Sequence, residues 1–343
     1  MNLRIIINMR NLIKTTQTLF FGAMVLASAV SVAQDAKAIT IYTSSNETFI
    51  RPIFEEFTKE TGVKVNFISD KGPVLIEKLK AEGEKSSADV FMTVDVGNLW
   101  LASQAGLLAP TKSSVIEKNI PSQYREPSNE WVGLSIRART LFYNPKKVKE
   151  TELKNYQDLA SKKWHKRLCL RTSNNVYNQS LVASFIENKG AKETESMVKG
   201  WVGNLATDVF TSDTLLLKAI EDGKCEVGIA NSYYYARILK ENPDFGVKVF
   251  WPTDGVHVNV MGGGVVKNSS NKKEAVRFLE WATTPKAQKL FASMNFEYPV
   301  NQAADVDPLV AAWGKFNADK MPLFKAGEKQ QAAVQLMDRV GYR

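Results

Sequence analysis

Histidine and cysteine are almost missing from this chain: two of each in 343 residues, His165 and His257, Cys169 and Cys225. That scarcity removes the donors on which zinc and copper sites draw. It also starves a hydrolase, which needs a nucleophile beside a base that a third group orients. His165 lies in "KWHKR" and His257 in an extended run, and no G-x-S-x-G turn offers a serine to either. Long apolar runs are missing as well. The one at residues 19–30 is too short to cross a bilayer, and no cysteine stands directly after it as a lipid anchor. Nor do basic residues gather into the stripe that nucleic acid requires. They are interleaved with acids, as in "EEFTKETG" and "IEKLKAEGEK", so nucleic acid is excluded as a partner.

What is present begins with an address. Arg4, Arg10 and Lys14 precede the apolar run, and Ser31-Val32-Ala33 forms a small-x-small site before Gln34. A basic start, a short apolar core and an A-x-A-like site describe a secretory signal peptide over residues 1–33. The mature chain is then an exported, soluble protein that starts near Gln34. Without those three residues the 45 basic side chains fall to 42 against 36 acidic ones, a moderate excess. In an exported chain an even cysteine count suggests one disulfide, Cys169 to Cys225, with two buried free thiols as the alternative. A bridge closing so long a loop stabilises a fold by about 4 kcal/mol in the chain-entropy description.

About 310 residues remain beyond position 33, enough for two domains. Short β runs alternate with amphipathic helices. "AITIYTS" reads as a strand, and the next segment places Phe49, Ile50, Ile53, Phe54 and Phe57 at helical spacing before Gly62. The rhythm continues through "ADVFMTVD", "KRLCLRT", "CEVGIA" and "YYYARILKEN", which argues for a parallel sheet covered on both faces. Residues 131–144 and 255–266 break it as long extended stretches, the second with a glycine triplet expected to act as a flexible point. The expected architecture is α/β: two lobes joined by two crossover strands that form a hinge, with a cleft between. The expected N-terminal lobe takes residues 34–136 plus 263–302, and the C-terminal lobe residues 137–262 plus 303–343.

The stretch "NSYYYAR" sets three tyrosines in a row, Tyr233, Tyr234 and Tyr235, which no single face of a helix or strand can bury. Tyr177 lies eight residues after Cys169, and Tyr233 eight after Cys225. If the cysteines are bridged, the two strands run side by side and both chains leave the sheet at one edge. Ligands of open α/β sheets bind at the carboxyl ends of strands, so Tyr177, Tyr233 and Tyr234 are candidates to converge on a cleft. Tyr235 is assigned to helix packing, and Tyr42 to core or rim. Neutral phenols there would suit a sugar or aromatic ligand. Phenolates would suit a hard, highly charged cation such as ferric iron, which displaces ligand protons.

"LRTSNNVYNQSLVASF", "CEVGIANSYYYARI" and "WVGLSIRARTLFYN" resemble the periplasmic ferric ion-binding proteins, the iron-capturing components of bacterial iron(III) ABC importers. The resemblance covers nearly the whole mature chain. It implies a type II periplasmic-binding-protein fold, capture of Fe(III) in the interlobe cleft, and delivery by a monomer to an inner-membrane permease driven by a cytoplasmic ATPase. It makes Tyr177, Tyr233 and Tyr234 iron ligands, and gives Arg137 in "SIRAR" a synergistic anion such as carbonate. The alternative for Arg137 is a salt bridge at the hinge. Several members of that family place His or His-Tyr after the first strand, where this chain has Asn46 and Glu47. Glu47 is the candidate ligand there; otherwise it is the acid that favours a helix N-terminus. Other expectations for the same fold are an oxyanion or a polyamine as cargo.

Overall fold

Ile50, Ile53, Phe54 and Phe57 form the buried face of the helix Glu47–Thr61. Asn46 caps its start by accepting from the Thr48 N–H, and Gly62 ends it at φ 73°, a left-handed value that glycine adopts without Cβ strain. Phe49, grouped with the core residues by spacing, instead points out of the core and is half-buried. The computed structural model describes residues 37–343; the expected signal peptide lies outside them.

Among the described residues nine strands make one sheet: β1 (Ala38–Thr43), β2 (Lys64–Ser69), β3 (Val90–Thr93), β4 (Leu108–Ala109), β5 (Val132–Tyr143), β6 (Leu168–Cys169), β7 (Val227–Asn231), β8 (Lys248–Phe250) and β9 (His257–Val266). Their order is β2-β1-β3-β9-β5-β7-β6, with β4 beside β9 and β8 beside β5. The outer pairs β1–β2, β1–β3 and β6–β7 are parallel, as the alternation predicts. The sheet as a whole is mixed, because β9 runs antiparallel to β3 and β5, and β5 antiparallel to β7. The two long strands are the cause. Each continues from one β-α block into the other, and so meets strands that enter from the opposite end. All 12 residues of β5 are buried, as expected of a strand covered on both faces.

The glycine triplet is a packing device rather than a loose point. Residues 262–264 lie within β9, between β3 and β5. A Cβ on Gly262 would sit 2.6 Å from the Val132 carbonyl oxygen, and one on Gly264 2.2 Å from that of Glu130. Only a residue without a side chain lets the crossing backbones approach so closely.

Cys169 and Cys225 form the disulfide, with Cα atoms 5.8 Å apart. Cys169 pairs with Gly228 across β6 and β7, so Cys225 lies just ahead of its strand rather than within it. The equal offsets to Tyr177 and Tyr233 therefore do not reflect register. The short β6 is followed by an irregular stretch, residues 170–175, in which Arg171 bridges to Phe210, whereas the longer β7 runs straight into the helix Ser232–Glu241. Both chains still deliver a tyrosine to the first turn of the helix that follows.

Candidate functional site

Asn175 caps the helix Val176–Lys189 by accepting from the Tyr177 N–H at 3.0 Å, which fixes Tyr177 in the first turn. Tyr233 and Tyr234 occupy the first turn of Ser232–Glu241, with ring centroids 4.4 Å apart. The third tyrosine turns away: Tyr235 donates to the Val247 carbonyl at 2.7 Å and packs on Phe142. Tyr42 is also core, its hydroxyl donating to Glu82 at 2.9 Å. Tyr177, Tyr233 and Tyr234 all line one polar cleft of about 250 Å³, with Arg137, Arg237 and Glu297. Ser44, Ser45 and Asn46 after β1, Phe49, and Val94 after β3 line it as well. The cleft thus receives residues from both β-α blocks and from a crossover strand.

Three guanidinium groups surround the three phenols. Arg137 lies 5.9 and 5.4 Å from the ring centroids of Tyr177 and Tyr233. Arg171 lies 5.6 and 6.0 Å from those of Tyr177 and Tyr234. Arg237 lies 4.8 and 5.7 Å from those of Tyr233 and Tyr234, and 4.1 Å over Phe49. Arg137 donates to the Val94 carbonyl at 2.9 Å and to the Tyr177 hydroxyl at 3.4 Å, and pairs with Glu297 at 3.0 Å. Both terminal nitrogens of its fork are therefore engaged. Its Nε, and the Nε atoms of Arg171 and Arg237, are buried without a hydrogen-bond partner among the described residues.

Burial raises the Tyr177 phenol above its usual range despite the nearby Arg137 charge. Burial raises Tyr233 well above it, with Tyr177 and Tyr234 adding to the shift. Both phenols therefore carry their protons at neutral pH unless a strong cation takes the oxygen. Among the described residues no group of three or more His, Cys, Asp or Glu gathers in a way that could hold a metal ion.

Glu47 stands apart from this set. It is exposed at the first helical position, paired with Arg51 one turn on, and does not line the cleft. The sequence reading missed Arg171, Arg237, Phe49 and Glu297. Arg237 was within reach, since Tyr233 and Arg237 are four apart on one helix and share a face. Glu297 carried no local signal; the pairing of residue 298 with Ile136 brings it under Arg137.

A mixed sheet crossed by two long strands, with a polar cleft at the strand ends, is the fold of periplasmic binding proteins. The chain belongs to the family described as bacterial extracellular solute-binding protein, which matches it over residues 42–289. It is 37% identical to iron uptake protein A1 of Synechocystis sp., over 96% of this chain and 97% of that protein. The solved structure of Trichodesmium IdiA (FutA) in complex with iron and citrate is 43% identical, with a TM-score of 0.86, over 89% of this chain and 100% of that one. The Mannheimia haemolytica ferric iron-binding protein A, solved in an open conformation, is 34% identical, with a TM-score of 0.83, over 90% of this chain and 99% of that one.

Proposed function

We propose that this protein is a periplasmic solute-binding protein that captures ferric iron and hands it to an ABC importer. The observation that carries the reading is the convergence of Tyr177, Tyr233 and Tyr234 on one cleft, with no cluster of conventional metal donors among the described residues. Three phenolates balance the charge of Fe(III), and a hard trivalent ion prefers anionic oxygen. The names of the relatives, an iron uptake protein and ferric-binding proteins, agree with this cargo. The protein acts by binding and release and performs no covalent chemistry.

The unpartnered Nε–H groups of Arg137 and Arg237, both of which line the cleft, and the charge of Arg171 beside the phenols support a companion anion on the iron, carbonate or another oxyanion. Arg137 would meet it through Nε while Glu297 keeps the rest of its fork in place. Glu47 would have to leave Arg51 to reach the metal. Residues 34–136 with 263–302, and 137–262 with 303–343, act as lobes that close over the ion about β5 and β9. The closed monomer then docks on an inner-membrane permease driven by a cytoplasmic ATPase.

The same three arginines favour a second reading, in which an oxyanion alone is the cargo. Colour separates the two. Purified protein with ferric citrate develops a visible phenolate-to-iron charge-transfer band under the first reading, and Tyr233→Phe with Tyr234→Phe abolishes it. A colourless protein that binds phosphate or sulfate supports the second.

A further inference from the structure

Beneath the cleft, Arg139 of β5 is 1% exposed and has all five of its N–H groups occupied. One side of its fork meets Asn178: Nε and Nη2 donate to the same Oδ1 at 3.0 and 2.7 Å. The other side meets Asn231, whose Oδ1 accepts from Nη1 at 3.0 Å. Asp213 closes the network, accepting from Nη1 at 3.0 Å and from the Asn231 backbone N–H at 3.0 Å. Asn178 is the residue after Tyr177, and Asn231 stands two before Tyr233. A single guanidinium thus reaches both tyrosine-bearing segments.

An arginine can only donate, so each asparagine must turn its carbonyl oxygen toward Arg139 and its amide hydrogens away. For Asn178 those hydrogens go to the Arg171 and Thr172 carbonyls at 2.8 and 3.0 Å, which pins the turns ahead of Tyr177. For Asn231 they point at the Tyr233 hydroxyl oxygen, 3.3 Å away. Asn231 also occupies the N-cap position of its helix yet makes no side-chain cap bond, although asparagine is among the favoured capping residues. Its side chain is committed to Arg139 and Tyr233 instead.

We infer that Arg139 is a positioning residue for ferric capture, spacing the two tyrosine segments and, through Asn231, holding a hydrogen-bond donor on the Tyr233 oxygen. A donor fixed there stabilises the anionic, metal-bound oxygen and leaves its other lone pair facing the cleft. The inference rests on the ferric reading above.

The deciding variant is Asn231→Asp in the mature protein. A carboxylate still accepts from Arg139, although it stands beside the buried Asp213 carboxylate on the same Nη1 and so costs stability, and it presents an acceptor to Tyr233 where a donor stood. The metal-free variant should melt below the parent but still unfold in one cooperative transition. Its ferric affinity, measured by competition with citrate, should fall about 10- to 100-fold, the usual effect of removing an outer-shell partner, and its charge-transfer band should shift. Arg139→Lys keeps the charge without the fork and should lose affinity as well; if it does not fold, Asn231→Asp decides alone. Parent-like affinity and an unmoved band in Asn231→Asp overturn the inference, as does a loss of affinity matched by collapse of the metal-free melting temperature. If the parent itself never colours with ferric citrate, the ferric reading fails first and this inference falls with it.

Discussion

Burial holds the Tyr177 and Tyr233 phenols above the usual tyrosine range, so under the proposed ferric site each keeps its proton until iron takes the oxygen. Ferric binding must then release protons, and acid must weaken it. Between pH 8 and pH 6 the apparent affinity should fall by up to about tenfold per pH unit for each phenol displaced. Chelator competition across that range measures it, and a flat profile removes the phenolate site. At this scale the sequence was readable where chemistry is local. Three adjacent tyrosines cannot share one burial surface, but that Tyr235 is the one to turn into the core is seen only in its bond to the Val247 carbonyl. Arg171 and Glu297 were not readable as neighbours of the phenols, because residues far apart in the chain bring them there.

Helix packing carries its own test. The C-terminal helix Leu323–Arg339 crosses the helix Val96–Gln104 on two glycines. A Cβ on Gly327 would lie 2.5 Å from Trp100 Cβ, whereas one on Gly97 would meet only the end of the Gln330 side chain. Gly327→Ala should therefore destabilise by about 1–2 kcal/mol, the cost of overpacking less the helix propensity that alanine gains. Gly97→Ala should be near neutral, because half-buried Gln330 can swing outward. Denaturant unfolding of both variants checks this, and equal costs would refute the close approach at Trp100. The first helix was legible to its caps, since Asn46 and Gly62 are local signals. The role of the glycine triplet was not: sequence shows three missing side chains, and only the neighbouring Val132 and Glu130 carbonyls show why they are missing.

For the molecule as a whole, the cleft ties distant parts of the chain together. Asp95 accepts from Ser180 at 2.8 Å and from Asn259 at 2.7 Å, joining the end of the first β-α block to the second and to β9. A ligand that binds only this folded arrangement stabilises all of it. At ferric concentrations 100-fold above Kd the gain is about 2.7 kcal/mol, which should raise Tm by about 5 °C for a chain of this size. Differential scanning calorimetry with and without ferric citrate checks this. A rise that persists in the Tyr233→Phe, Tyr234→Phe variant would place the ion elsewhere.

The sequence by itself determined the alternation of strands and helices, the two long crossover stretches and the run of three tyrosines that no single face can bury. Each of these is written in periodicity, composition or spacing along a short stretch of chain. Tertiary structure alone decided the antiparallel course of β5 and β9 and the assembly of Arg137, Arg171 and Glu297 about the phenols. Those depend on which segments become neighbours, and that is settled by packing across the sheet rather than by any local pattern.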